Sequence, residues 1–263
     1  MNEIKKYALV TGASSGIGLH LAEGLARLGY SIIAVSNQPV ELEMLKTRIE
    51  HMVAVTVTTL NIDLANENSA RQVFDFCEEQ ELEIEVLVNN AGMLVFGLAL
   101  KVGYSRINTI MNLHMITPVL LCDLFGEKMM AKNKGYILNV SSISAVMPYP
   151  GISLYGPTKA FLRHFTRALR TETRPFGIKV TCLIPGATST NLYSIQNYNI
   201  PLLEKLGVFK KPEKVAKAGL KALFNDRPLC IPGWLNKIIV YFMPFIPPSL
   251  IAQIYKRTSL LKE

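Results

Sequence analysis

The 263-residue sequence predicts one doubly wound α/β domain, a parallel sheet with helices on both faces, spanning residues 1–263. Three observations predict it. Short apolar, β-branched runs alternate with longer runs of helical periodicity along the chain. The strand-like runs are apolar almost throughout, the pattern of strands buried on both faces rather than one. Glycine, asparagine, aspartate and serine gather at the carboxyl ends of those runs, the edge where such sheets bind ligands. No linker, repeat or low-complexity segment divides the chain.

Taken in order, "YALVTG" (7–12) is an apolar strand stopped by glycine. "IGLHLAEGLARLG" (17–29) sets Leu21, Leu25 and Leu28 on one helical face, and Gly29 ends it. "SIIAVS" (31–36) is a second strand and "VELEMLKTRIEH" (40–51) an amphipathic helix. "VAVTVTTLNID" (53–63) reads as extended, "NSARQVFDFCEEQE" (68–81) as a helix, and "IEVLVNNAG" (84–92) as a strand running into glycine. A helical region over 104–132 follows, which Pro118 bends or offsets. "GYILNVSS" (135–142) is a strand, Tyr155 to Arg174 a helix, "GIKVTCLIPG" (177–186) a strand and 211–225 a late helix. Pro157 is acceptable in the first turn of its helix, where a missing N–H costs nothing.

Composition narrows the function classes. Apolar residues make up 49% of the chain and charged residues 18%, which supplies a core and excludes global disorder. Cys77, Cys122, Cys182 and Cys230 are scattered without a Cys-x-x-Cys pair, as buried thiols of a reducing compartment would be. No cluster has metal-ligand spacing, so no metal is expected. His20, His51, His114 and His164 read as core or surface residues, and only His114, two residues after Asn112, merits watching. The sequon Asn139-Val140-Ser141 falls in a core strand and carries no weight. The amino terminus is too short in apolar residues for a signal peptide or a span, so a cytoplasmic protein is expected. Residues 1–203 hold 17 basic and 16 acidic side chains, whereas 204–263 hold 11 and 4. The charge excess therefore belongs to the last quarter, without a nucleic-acid reader motif around it.

"TGASSGIG" (11–18) joins the first strand to the first helix. Gly12, Gly16 and Gly18, with Ser14, Ser15 and Ile17 between them, allow a tight turn and a close approach to a pyrophosphate at the helix N-terminus. Tyr155 and Lys159 sit one helical turn apart in "YGPTK".

Gly12-x-x-x-Gly16-x-Gly18, "NNAG" (89–92), Ser142 and Tyr155-x-x-x-Lys159, in this order across roughly residues 5–225, resemble the short-chain dehydrogenase/reductase family. The resemblance implies a Rossmann-like single domain and hydride transfer between a nicotinamide cofactor and an alcohol or carbonyl substrate. Tyr155 would be the general acid/base, its phenolate favoured by the Lys159 cation, and Lys159 would also bind the nicotinamide ribose. Ser142 would hydrogen-bond the substrate oxygen. Asn112 would hold a water in a relay from Lys159, or else be a buried amide satisfied by backbone. Asp63 and the N–H of Leu64 would bind adenine, with a helix N-cap as the alternative for Asp63. Asn90, Ala91 and Gly92 would meet the cofactor ribose, while Asn89 braces the sheet. Pro185, Gly186, Thr188 and Thr190 would hold the carboxamide. Ser36 replaces the acidic residue that accompanies NAD preference, and Asn37 stands where NADP-preferring members often have arginine, which favours NADP over NAD.

The resemblance places substrate specificity in 188–210, here an apolar lid, and in the extension 226–263. The lid predicts a hydrophobic carbonyl or alcohol of lipid, steroid or acyl type, or else it is an ordinary helix that packs on the body. The stretch 232–257 is apolar but broken by Lys237 and prolines, and its continuous run "IIVYFMPFI" (238–246) is too short to span a bilayer. It could lie on a membrane surface or pack in a homodimer or homotetramer. A non-catalytic nucleotide-binding scaffold docked through this segment is the alternative to an enzyme.

Overall fold

A computed structural model of the chain describes residues 5–146, 150–189, 209–247, 249–251 and 253. Its sheet has seven strands in the order β3-β2-β1-β4-β5-β6-β7, all paired in parallel. These are β1 (Tyr7–Thr11), β2 (Ser31–Ser36), β3 (Val57–Asn61), β4 (Ile84–Asn89), β5 (Gly135–Val140), β6 (Ile178–Leu183) and β7 (Leu229–Cys230). The chain moves outward from β1 through β2 to β3, then returns to place β4 on the other side of β1. That reversal opens a crevice beyond the carboxyl ends of β1 and β4.

The helices cover both faces because each carries one apolar stripe. On one side, α1 (Gly16–Arg27), α2 (Pro39–Met52) and α7 (Pro212–Phe224) bury Leu21, Leu25, Leu42, Leu45, Ile49, Val215 and Leu223 against the sheet. On the other, α3 (Ser69–Glu79) and α5 (Thr117–Ala131) bury Val73, Leu121, Phe125 and Met129, and α6 (Tyr155–Thr173) adds Phe165 and Leu169. Each such side chain contributes about 1.5–3 kcal/mol when fully buried. Proline opens α2 and α7 at their first helical residue, where its missing N–H costs nothing.

The region expected to be helical over 104–132 is α4 (Tyr104–Met111), a π-turn (Asn112–Ile116) and α5. Pro118 does not sit at the bend itself. It cannot donate to the carbonyl of His114, and the wider turn over the preceding residues is where the helix absorbs that missing bond. The expected extended run 53–63 shortens to β3, and residues 53–56 form a bend and its exit after α2, outside the strand. Two elements had no counterpart in the sequence reading. One is β7, only two residues long, and the other is α8 (Trp234–Phe242), which begins the carboxyl-terminal extension. All four cysteines are free thiols.

Beneath the crevice, a buried polar set ties two strands to two helices. Asn89 Nδ2 donates to Asn139 Oδ1 (2.9 Å), and Asn139 Nδ2 donates to Thr166 Oγ1 (3.0 Å) on α6. Asn89 also reaches Cys122 Sγ on α5 at 3.3 Å. Asn89 is thus the sheet brace that the sequence suggested, and Asn139 is fully buried, as its core-strand position required. Replacing Asn139 by Leu removes the acceptor of a buried amide. Urea unfolding should show a loss of about 2 kcal/mol, and a change within about 0.5 kcal/mol would contradict this role.

Candidate active site

The crevice is built on a clasp between β1 and β4. Thr11 Oγ1 donates to the Val88 carbonyl (3.1 Å) and accepts the N–H groups of Asn90 (2.9 Å) and Ala91 (3.1 Å). Asn90 Nδ2 returns to the carbonyls of Thr11 (3.0 Å) and Gly12 (3.2 Å). The glycine loop and the "NNAG" segment therefore lie edge to edge. Gly12 has φ +62°, and a Cβ there would stand 2.9 Å from Ala91 Cα. At Gly18 a Cβ would stand 2.0 Å from the Gly12 carbonyl oxygen. Only glycine permits this closeness, and it leaves the first N–H groups of α1 open toward the crevice, with no acidic side chain in that turn.

The crevice runs along the carboxyl edge of the sheet. Gly12, Ser14, Ser15, Gly16 and Ile17 line its centre, with Asn90, Ala91 and Gly92 opposite. Ser36, Asn37, Asp63 and Leu64 line one end. Ser142, Tyr155, Lys159, Pro185, Gly186 and Thr188 line the other. A helix N-terminus at mid-cleft, a floor with no room for side chains and polar groups at both ends fit an elongated dinucleotide. Thr190 and most of the expected lid 188–210 lie outside the described residues.

At the β2 end, Ser14 Oγ lies 2.9 Å from Ser36 Oγ and donates to Gln38 Oε1 at 2.7 Å. Gln38 was not singled out in the sequence, although its place two residues after β2 could have drawn attention. Asp63 Oδ1 accepts the N–H of Ala65 (3.0 Å), a local turn bond that still leaves the residue on the crevice wall. The Asn112 side chain is held by backbone. It does not line the crevice, and its Nδ2 donates to the Ala65 carbonyl (3.0 Å), so the side chain acts as the backbone-satisfied amide. The π-turn aims it at the segment after β3.

At the β5 end, Tyr155 is the first residue of α6 and only 6% exposed. Lys159 is 4% exposed, its Nζ 3.1 Å from the Val140 carbonyl and 6.0 Å from the centre of the Tyr155 ring. Burial lowers the lysine pKa to about 8. Ser141 Oγ donates to the Lys159 carbonyl (2.7 Å), fixing α6 to the end of β5. Ser142 Oγ accepts the N–H of Ser144 (3.2 Å), which leaves its own hydrogen for another acceptor. His114, merely watched in the sequence, is fully buried beside Tyr155, their rings meeting edge to face at 5.6 Å. Around them Met93, Leu94, Val95, Ile152 and Leu154 form an apolar cluster with Tyr155. The sequence showed these residues only as loop, because the cluster joins two distant segments.

The arrangement can hold a dinucleotide across the sheet and present a phenol, an ammonium and a hydroxyl at one end. That intact set argues against a scaffold without chemistry. A family model described as short chain dehydrogenase matches residues 6–199. The chain is 32% identical over 245 residues to very-long-chain 3-oxoacyl-CoA reductase-B of Danio rerio, covering 89% of this chain and 76% of the relative. It is 30% identical to 17-beta-hydroxysteroid dehydrogenase type 3 of Rattus norvegicus, covering 100% of this chain and 83% of that one. Among solved structures, a short-chain dehydrogenase from Sphingobium yanoikuyae in complex with NADPH superposes with a TM-score of 0.79 at 27% identity, covering 94% and 98% of the two chains. The chain belongs to the short-chain dehydrogenase family, the NAD(P)-dependent oxidoreductases that interconvert alcohols and carbonyl compounds.

Proposed function

We propose that the protein reduces, or in reverse forms, a hydrophobic carbonyl compound at the Tyr155 end of the crevice, with NADP preferred over NAD. The observation that carries the substrate class is the apolar cluster of Met93, Leu94, Val95, Ile152 and Leu154 around Tyr155. The names of the relatives, which specify a long-chain 3-oxoacyl thioester and a steroid, support the same class. A bound nicotinamide dinucleotide would supply or accept the hydride. Gly12, Gly16 and Gly18 give it room, Ser14, Ser15 and Ile17 line its path at the α1 terminus, and Asp63 and Leu64 flank the adenine end. Asn90, Ala91 and Gly92 would face its ribose, and Pro185, Gly186 and Thr188 its carboxamide.

In this reading the chain's own groups handle the proton. Ser142 donates a hydrogen bond to the carbonyl oxygen and orients it. Tyr155 gives its phenolic proton to that oxygen as negative charge develops, or takes it back in the oxidative direction. The Lys159 ammonium favours the resulting phenolate, more strongly for being out of water. It also presents N–H donors to the cofactor ribose. Asn112 is a brace between the π-turn and the segment after β3. The absence of a carboxylate at Ser36 and Asn37, with Gln38 beside them, supports tolerance of a 2′-phosphate.

We assign contact with an anionic lipid surface to the carboxyl-terminal segment 232–257 of an otherwise cytoplasmic enzyme. On α8 and the 3₁₀ turn after it, Asn236 and Val240 face inward, while Trp234, Ile238, Tyr241, Phe242 and Phe245 stand exposed beside Lys237. An exposed aromatic face with cationic flanks suits the lipid interface. The apolar run Tyr104–Ala131 is a poorer candidate, since Leu121, Cys122, Phe125 and Met129 are committed to the sheet. A separate exposed strip, Leu100, Tyr104, Ile116 and Leu120, suits a second copy in a homodimer or homotetramer.

With an apolar ketone or 3-oxoacyl thioester, kcat/KM should be higher with NADPH than with NADH, and Tyr155→Phe should lower kcat by about 10²–10⁴-fold. A Tyr155→Phe variant with full turnover would remove the mechanism. The protein should float with phosphatidylserine vesicles but less with phosphatidylcholine alone. Joint replacement of Trp234, Phe242 and Phe245 by Ser should abolish flotation, and equal flotation of both proteins would remove the lipid contact. Light scattering of the soluble form should give a multiple of the 29.2 kDa chain mass, and a monomer would remove the second-copy assignment.

A further inference from the structure

His114 lies outside the set of groups expected to touch cofactor or substrate, yet it joins both sides of the reacting end. Its Nε2 lies 3.0 Å from the Met93 backbone nitrogen, whose N–H can only donate. Nε2 is therefore the acceptor, and the ring proton sits on Nδ1. Nδ1 lies 2.9 Å from Thr158 Oγ1 and donates to it. Thr158 passes its own hydrogen to the Tyr155 carbonyl at 2.9 Å. The three bonds form one directed chain, and only the neutral Nδ1–H imidazole satisfies it. Burial, and next the charge of Lys159, hold the pKa of His114 well below the usual histidine value, so the ring stays neutral in the working range.

The ring is also a spacer. A Cβ on Gly92 would come within 3.1 Å of His114 Nε2 and 3.4 Å of Lys159 Nζ. A side chain at Gly92 would thus crowd the His114 ring and reach the Lys159 ammonium, and the Met93 N–H already bonds the ring directly. His114 owes its position to the π-turn, which swings it under the first turn of α6. The ring is fully buried.

We propose that His114, acting through Thr158, is the positioning residue that locks Tyr155 and Lys159 against the Gly92–Met93 backbone. It donates no proton in the reaction. Its neutral ring fixes the height and direction of the Tyr155 ring and leaves Lys159 as the cation acting on the phenol. This rests on the hydride-transfer reading, because the groups it positions are those proposed to react.

The test pairs two substitutions that break the chain at different points. His114→Leu removes the ring, and Thr158→Val removes the hydroxyl while keeping its volume. Each should lower kcat about 10-fold or more, the usual consequence of displacing a reacting group, while NADPH affinity and substrate KM change little. The double variant should be no slower than the worse single one. In each variant the phenolate titration of Tyr155, read by ultraviolet difference absorbance with Tyr155→Phe as the blank, should move to higher pH. Partial recovery is expected in His114→Gln, which restores an acceptor for Met93. Folded Thr158→Val or His114→Leu protein with wild-type kcat and an unmoved titration would overturn the proposal, as would a loss of thermal stability alone. Absence of turnover in the wild type would instead remove the hydride-transfer reading, and the titration would still judge His114.

Discussion

A buried ammonium sets the terms for the rest of this structure. Lys159 carries its charge out of water at the junction of β5, α6 and the Gly92 backbone. Burial is costly to a cation, and the group answers by easier deprotonation, toward about 8. What offsets the cost is geometry. The Val140 carbonyl takes one N–H, Ser141 ties the lysine's own carbonyl to the strand, and Gly92 offers no side chain to push the ammonium away. The same desolvation that costs stability makes the charge effective toward a neighbouring phenol.

The remaining features keep that charge and the phenol in register. The Thr11–Asn90 clasp holds the glycine loop against the β4 exit, so the floor of the crevice is one unit rather than two loops. The Asn89–Asn139–Thr166 set fixes α6 to the sheet from below. Pro118 follows the π-turn, and the π-turn delivers His114 under Tyr155 and Asn112 to Ala65. A helix defect thus becomes a brace for the reacting end, in line with the frequent occurrence of π-turns near functional sites.

Much of this was legible in the sequence, and the limits have physical causes. Local signals transferred well. The glycine turn, the "NNAG" exit, Ser142 and the Tyr155–Lys159 spacing all fall on one edge, because a parallel sheet puts every strand end there. Pro157 correctly marked the start of α6. Tertiary partners did not transfer. The bond from the Asn112 amide to Ala65 depends on the π-turn, and such a turn has no sequence signature beyond a later proline. The Met93–Leu154 cluster was missed because it joins segments far apart in the chain, whereas Gln38 lay within reach, two residues after β2. The α8 helix was read only as an apolar, basic extension, since its inward face is just Asn236 and Val240.

The most direct test of the account is the titration of Lys159 itself in the cofactor-free protein. Selective carbon labelling at lysine, with Lys159→Met to assign the resonance, reads it by NMR. The account predicts a midpoint near pH 8, the consequence of a desolvated ammonium beneath Tyr155. A Lys159 that titrates at the ordinary lysine value, about 10.4, would mean that the charge is hydrated, and the buried-cation account of the site would fail.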